Sequence, residues 1–138
     1  MSLAGASLCR GNAGLVMGEA SSRQLVGSLT HQQPHGLDHV VAAAVQGVRN
    51  DSLCHGTLGL VEALLSTTEY TGDAELQRIA HQATADVARR VLAGRVVTGV
   101  PRGTWTPGLL DGAAGIGYGL LRAATPHRVP NVLLMCTP

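Results

Sequence analysis

The sequence predicts an all-α protein, built as a stacked or toroidal array of helical hairpins. A glycine-containing motif occurs three times along the chain, and the segments between its copies show helical periodicity. The composition is the third observation, since 45% of the residues are hydrophobic and only 14% are charged, with 18 glycines and no phenylalanine. Aliphatic and small residues in this proportion favour one core of closely packed helices.

The repeated motif is clearest when residues 7–20 are compared with residues 52–65. Both copies begin Ser-Leu-Cys, have a glycine two residues after the cysteine, and continue with Gly-Leu-Val. A third copy at residues 108–121 keeps both glycines and the apolar run. The first glycines of the copies are 45 and 56 residues apart, a period that fits two helices and their connections. Each copy is predicted to start an inner helix that is apolar nearly all round.

Two amphipathic outer helices are predicted between the copies. Residues 73–93 have apolar side chains at helical spacing, with Asp73 as the N-cap and Gly94 to end the helix. Residues 37–48 form a shorter candidate of the same kind. Residues 95–108, with several Pro and Gly, are predicted to be a loop.

Charge and hydropathy exclude several classes of protein. The net charge is +1 and no segment carries a basic stripe, so nucleic acid is not an expected partner. The first residues show no cationic leader, and no aliphatic run approaches the roughly 18 residues that a membrane span needs. We therefore expect a cytoplasmic protein without a membrane span. Three cysteines cannot all pair within one chain, which leaves metal binding or free thiols.

Cys9, Cys54 and His55 are the candidate metal ligands. They lie just before the glycines that start two predicted inner helices, so the repeat would bring all three to the same end of the inner layer. Thiolate sulfur and imidazole nitrogen are zinc ligands, and a catalytic zinc site keeps a fourth position open. The alternative is that both cysteines are buried small hydrophobes and that His55 caps a turn. The spacing alone leaves both interpretations open.

The other histidines have a less specific interpretation. Three of them are spaced by four residues, but Pro34 and Gly36 lie among them and argue against a single helix face. Solvated imidazoles without a functional role are expected at His31, His35, His39, His81 and His127.

Three further residues are notable. Asp111 occupies the place of His55 in the third copy, where it either caps the inner helix or faces the site as an acceptor. Arg10 occupies that place in the first copy and is expected to be solvated or ion-paired, with orientation of a substrate carbonyl as the alternative. Cys136 lies outside the repeat and is expected to be a free thiol. Residues 132–135 just before it are expected to dock as a short strand or an extended tail.

Three segments resemble one known family. SLCRGNAG, SLCHGTLG and the ending TPGLLDGAAGIGYGLLRAATPHRVPNVLLM are similar to the last part of the cyclase domain of class II lanthipeptide synthetases. The resemblance covers essentially the whole chain and implies that residues 1–138 are a C-terminal fragment of this lanthionine synthetase C-like domain. It implies an incomplete α/α toroid, with about three inner helices, intervening outer helices and a Zn²⁺ ion held at one mouth by Cys9, Cys54 and His55.

The resemblance also implies a reaction. Cysteine thiols of a dehydrated precursor peptide add to dehydroalanine or dehydrobutyrine and form lanthionine or methyllanthionine rings, with zinc activating the thiol. Family members usually have Trp before the first zinc cysteine, where this chain has Leu8. They place further hairpins, a general-acid histidine and a dehydratase domain upstream. The fragment is therefore expected to be inactive alone and to need the remainder of the synthetase.

Other interpretations stay open at this point. A non-catalytic remnant could bind zinc or peptide while docking on a full-length synthetase. An unrelated helical-repeat scaffold could carry the cysteine motif by coincidence. Free-standing cyclases and kinase-cyclase fusions share the zinc motifs, although the ending of this chain favours the class II type.

Overall fold

A computed structural model describes residues 5–26 and 33–135 of the chain. Its helices are α1 (Asn12–Val26), α2 (Leu37–Gln46), α3 (Thr57–Thr71), α4 (Ala74–Leu92) and α5 (Ala113–Ala124). One 3-10 turn, at Pro101–Gly103, lies in the long loop between α4 and α5. The described residues contain no β-strand, so the all-α prediction is confirmed.

The helices form two layers. α1, α3 and α5 each begin at one copy of the motif, and α3 packs against both of the others. α2 packs on α1 and α3, α4 packs on α3 and α5, and α2 and α4 also touch. The predicted alternation of inner and outer helices is therefore confirmed. The arrangement is the one expected for part of an α/α toroid.

Helix α3 is the centre of the core. It contacts all four other helices, and every residue from Thr57 to Thr67 is buried. Helices that are apolar nearly all round are expected to be buried, and this holds for α3 but not for α1 and α5, which expose the apolar side chains of Leu15 (64%) and Leu121 (56%). The reason is position, because α3 has an inner helix on each side and the other two each have one among the described residues.

The outer helices end close to their predicted bounds. Asp73 caps α4 by accepting hydrogen bonds from the backbone N–H groups of Glu75 (2.9 Å) and Leu76 (3.1 Å). α2 ends at Gln46 rather than at residue 48, because Gly47 has a φ of +78° and leaves the helical conformation.

The two glycines of each motif copy allow the preceding loop to fold back over the start of the inner helix. In every copy, a Cβ on the second glycine would overlap the backbone carbonyl of the residue six positions earlier. The pairs are Leu8 and Gly14, Leu53 and Gly59, and Leu109 and Gly115. Backbone cannot swing aside as the end of a side chain can. The repeated glycines therefore reflect a steric requirement of the loop, rather than a need for positive φ.

Helix α5 offers a matched test of this requirement. Gly115→Ala should destabilise the fold by about 1–3 kcal/mol, because the new methyl group meets the Leu109 backbone. Gly117→Ala, two residues away with nothing within 4 Å of its Cβ position, should instead stabilise the helix by roughly 0.5–1 kcal/mol. Urea unfolding followed by circular dichroism measures both changes. Equal effects of the two substitutions would contradict the steric explanation.

A buried polar network ties α5 and the following segment to α3. The Arg122 side chain, 3% exposed, donates to Glu62 (3.2 Å) and Glu69 (2.6 Å). The Asn131 amide also donates to Glu62, at 2.9 Å. Burial raises the pKa of the Glu62 carboxyl, and the neighbouring Arg122 charge opposes that rise. Glu62 is thus acceptable in the core only because the other two groups pair with it.

The segment after α5 is held in turns by the same asparagine. Asn131 Oδ1 accepts hydrogen bonds from the N–H groups of Leu133 (3.1 Å) and Leu134 (3.2 Å). Residues 132–135 consequently form successive turns. The prediction of a strand or an extended tail is wrong, because the Asn131 side chain bonds to backbone groups that an extended segment would offer elsewhere.

Removing the Arg122 side chain should lower the free energy of unfolding, because the Glu62 carboxylate stays buried. Arg122→Met is expected to destabilise the fold by about 3–5 kcal/mol, since it leaves a buried carboxylate without its cation. Arg128→Met changes an exposed arginine in the same way and should be close to neutral. Thermal unfolding of the two variants measures the difference, and similar midpoints would show that the network contributes little.

Candidate metal centre

Backbone hydrogen bonds join the three loops that precede the inner helices. The Leu8 N–H donates to the Cys54 carbonyl oxygen (2.9 Å), and the Cys54 N–H donates to the Leu110 carbonyl oxygen (2.9 Å). A longer bond runs from the Cys9 N–H to the same Cys54 oxygen (3.4 Å). The second loop therefore lies between the first and the third. Equivalent residues of the three copies are neighbours at one end of the inner layer.

These loops bring Cys9, Cys54 and His55 together. Their ligand atoms, two sulfurs and an imidazole nitrogen, all lie within 4.8 Å of one another. A tetrahedral zinc ion with bonds of about 2.0–2.3 Å holds its ligands roughly 3.3–3.8 Å apart, so a modest contraction would suit such an ion. Cys9 is exposed and Cys54 is half-buried, which contradicts the interpretation of two buried hydrophobic cysteines.

The His55 ring is oriented by a backbone carbonyl. Its Nε2 lies 2.8 Å from the Gly99 oxygen. A carbonyl oxygen can only accept, so Nε2 carries the hydrogen and Nδ1 of the neutral ring keeps its lone pair. Metal-binding histidines commonly donate their other nitrogen in this manner, which fixes the tautomer and the ring orientation. Nδ1 is the nitrogen that His55 can offer to a metal.

The loop that carries Gly99 is anchored by a buried carboxylate. Asp51, 1% exposed, accepts hydrogen bonds from the Arg90 guanidinium (Nε, 3.0 Å) and from the Val97 N–H (3.0 Å). Its own N–H donates to the Val97 carbonyl (2.8 Å). Asp51 therefore attaches the end of α4 and the following loop to the residues just before Cys54. No sequence pattern indicated a role for Asp51, because one acidic side chain near a cysteine is a weak signal.

Asp111 faces the candidate ligands and does not cap α5. The N-cap position belongs to Gly112, and no side chain bonds to the first turn of the helix. Asp111 Oδ1 is buried without a hydrogen-bond partner among the described residues, and it lies 3.3 Å from His55 Nδ1. The helix-cap interpretation is therefore wrong, and the structure places Asp111 at the site.

The electrostatics of the cluster suit a cation. The pKa of the Cys54 thiol is raised to about 12, first by burial and then by the neighbouring Cys9 thiol and Asp111 carboxylate. Arg10 acts in the opposite direction but does not outweigh them. Two thiols, a carboxylate and an imidazole nitrogen thus lie together, with too little positive charge to offset the raised pKa of the Cys54 thiol. This donor set fits a divalent ion such as zinc.

An open groove of about 780 Å³ lies beside the cluster, along the first loop and the start of α1. Cys9 lines it, together with the polar side chains of Arg10, Asn12 and His39. Arg10 and His39 are exposed, as expected for solvated groups. The groove is large enough to admit an extended segment of peptide beside the Cys9 sulfur.

The remaining histidines and the third cysteine do not join the cluster in the described part of the chain. His35, His81 and His127 are exposed, and His35 contacts Glu19. His31 and Cys136 lie outside the described residues. No helix in the described ranges is long and apolar enough to cross a bilayer.

Fold and site together define a class of protein: an α-helical hairpin array with a group of sulfur and imidazole ligands at the loop end of its inner helices. A family model described as lanthionine synthetase C-like protein matches residues 9–134. The chain belongs to the lanthionine synthetase C-like family, and the cysteine motif is therefore not a coincidence on an unrelated scaffold. Neither the curated proteins nor the solved structures gave a significant match.

Metal binding at this cluster should depend on pH. The Cys54 thiol, with its pKa raised to about 12, is protonated at neutral pH in the metal-free chain and has to lose that proton to bind a metal. The apparent affinity for Zn²⁺ should therefore rise with pH, by about tenfold per unit for each proton released. Competition with a chromophoric chelator in a non-coordinating buffer, between about pH 6 and pH 8, measures this slope. An affinity that is flat with pH would mean that the thiols are not ligands.

Proposed function

We propose that this chain is the C-terminal part of the cyclase domain of a class II lanthipeptide synthetase, and that it binds zinc through Cys9, Cys54 and His55. The observation that carries the proposal is the convergence of two sulfurs and one imidazole nitrogen within 4.8 Å in a member of this family. The ending of the chain, from Thr106 to Met135, supports the assignment to class II by its resemblance to that group.

The proposed reaction joins two parts of a dehydrated precursor peptide. The sulfur of a peptide cysteine forms a bond to the β-carbon of dehydroalanine or dehydrobutyrine, and a proton ends on the α-carbon. No atom leaves, and no oxidant or reductant is needed. A zinc ion at the cluster would supply the nucleophile, because coordination lowers the pKa of a thiol enough to make it a thiolate at neutral pH.

The residues of this chain have distinct tasks in the proposal. Cys9 and Cys54 offer two anionic donors, which offset the charge of a divalent ion and keep a substrate thiolate reactive. The Gly99 carbonyl holds the third donor, His55, in the required tautomer. The groove along Cys9 and Arg10 gives a peptide access to the cluster from one side.

The proton on the α-carbon needs a general acid, and we assign none among the described residues. In the proposal, that acid comes from the remainder of the synthetase, which acts together with this chain on the dehydrated precursor peptide. The chain alone is then expected to bind zinc without closing thioether rings. Zinc binding and cyclase activity can therefore be tested in separate experiments.

Zinc content tests the ligand set. The purified chain should hold about one zinc ion, and Cys54→Ala and His55→Ala should each lose nearly all of it, because each removes one of the three proposed sulfur and nitrogen ligands. Cys136→Ala, a cysteine outside the repeat, is the matched control and should keep its zinc. Elemental analysis by mass spectrometry gives the stoichiometry. Zinc retained by either ligand variant, or absent from a folded wild-type chain, would argue against the site.

Cyclase activity requires a second experiment, in which the upstream part of a class II synthetase is supplied together with this chain and a dehydrated precursor peptide. Ring formation leaves the peptide mass unchanged but consumes thiols, so thiol alkylation followed by mass spectrometry detects it. Thiols should disappear with the wild-type chain and persist with His55→Ala. Zinc binding without thiol loss would favour the alternative function, a non-catalytic module that binds zinc or peptide on a full-length synthetase.

A further inference from the structure

We infer that Asp111 is a fourth protein ligand of the proposed zinc centre, and that an incoming substrate thiol displaces it. The inference rests on the proposed metal site and adds to it a residue from the third copy of the motif. Cys9 comes from the first copy and Cys54 with His55 from the second. Asp111 would give the third copy a part in the same centre.

One carboxylate oxygen of Asp111 lacks a hydrogen-bond donor. Asp111 Oδ1 is buried and has no hydrogen-bond partner among the described residues, although it lies 3.3 Å from His55 Nδ1. Because His55 Nε2 donates to the Gly99 carbonyl, the neutral ring presents a lone pair at Nδ1. When the ring is neutral, two electron-rich atoms therefore face each other without a hydrogen bond between them. Such an arrangement is unfavourable by itself and becomes favourable when a cation binds both atoms.

The distance between Asp111 Oδ1 and His55 Nδ1 suits two ligands of one metal ion. A tetrahedral zinc ion with Zn–N and Zn–O bonds of about 2.0–2.2 Å separates those two ligand atoms by roughly 3.3–3.5 Å. The separation of His55 Nδ1 and Asp111 Oδ1, 3.3 Å, falls in this range. The Asp111 carboxylate is thus at a ligand-to-ligand distance from His55, one of the three proposed ligands.

The Asp111 carboxylate is a ligand that a substrate thiol could replace. Asp111 Oδ1 lies 3.3 Å from His55 Nδ1 but is not part of the group whose ligand atoms all lie within 4.8 Å, so a metal ion would have to draw it closer to the sulfurs. Its side chain is 39% exposed, which leaves space for this movement. A carboxylate oxygen is a harder ligand than a thiolate, and zinc exchanges it for sulfur more readily than the reverse. A ligand that sulfur displaces readily suits a position that the substrate thiol has to take.

The backbone fixes Asp111 in this place. The Leu110 carbonyl accepts the Cys54 N–H (2.9 Å), and the Asp111 carbonyl accepts the Gly99 N–H (2.7 Å). The residue is therefore held between the second loop and the segment that orients His55. Its position follows from the backbone hydrogen bonds that join the loops, and its side chain does not cap α5.

Cobalt binding provides the test, because Co²⁺ occupies zinc sites and its absorption reports the ligand set. The wild-type chain is compared with Asp111→Asn and with Asp38→Asn, the same change at an exposed aspartate in α2. Chelator competition should show that Asp111→Asn weakens Co²⁺ binding by about 10- to 100-fold, while Asp38→Asn leaves it unchanged. Asp111→Glu keeps the carboxylate and should recover part of the affinity.

A second readout distinguishes a ligand from a residue that only supports His55. 2-Mercaptoethanol is titrated into the cobalt-loaded chains, and its binding is followed by the sulfur-to-cobalt charge-transfer absorption. If Asp111 must be displaced, the thiol should bind several-fold more tightly to Asp111→Asn than to the wild type. A supporting residue would lower metal affinity without this gain.

Two results would overturn the inference. Equal cobalt affinity of the wild type and Asp111→Asn, or thiol affinity that does not increase in that variant, would leave a three-residue centre without Asp111. A wild-type chain that folds but binds no cobalt would reject the metal centre itself, and the inference with it. Circular dichroism of each variant establishes folding, and Asp111→Ala, which also removes the carboxylate, serves in place of Asp111→Asn if the latter fails to fold.

Discussion

The structure depends first on the hydrogen bonds that join the three loops at one end of the inner helices. The second loop donates to the third through Cys54 N–H and Leu110, and accepts from the first through Leu8 N–H. Because these hydrogen bonds join main-chain groups, they align the loops with one another whatever side chains the loops carry. A side chain at a given place in one copy is therefore a neighbour of the side chain at the same place in the next. The candidate metal ligands meet for this reason.

Charge is the second constraint, and it acts differently in the core and at the loop end of the inner helices. In the core, the Glu62 carboxylate accepts hydrogen bonds from Arg122 and from the Asn131 amide. At the loop end, Asp111 Oδ1 has no hydrogen-bond partner among the described residues, and the nearby Arg10 does not outweigh the groups that raise the pKa of the Cys54 thiol. The charges of the core network are therefore paired within the protein, whereas the proposed zinc ion would be the partner of the loop cluster. Polar groups left without partners in this way are typical of binding sites.

Much of the fold could be predicted from periodicity and glycine spacing. The starts of α1, α3 and α5 follow from the repeated motif, and the cap of α4 follows from Asp73. The proximity of Cys9 to Cys54 could also be anticipated, because a repeat places equivalent residues at the same end of its helices. The turns at residues 132–135 could not, since they depend on the Asn131 side chain bonding to its own backbone after the chain has docked on α3.

The helical and repetitive character of the chain and its paired cysteine motifs can be read from the amino-acid sequence, because they depend on local periodicity and on the identity of adjacent residues. Which polar side chains face the cluster follows from the packing of the helices. Asp111 could equally have capped its own helix, and Asp51 has no distinctive motif. Their partners, His55 for Asp111 and Arg90 for Asp51, are remote in sequence. Contacts of that kind are set by the packing of whole helices, which no local pattern encodes.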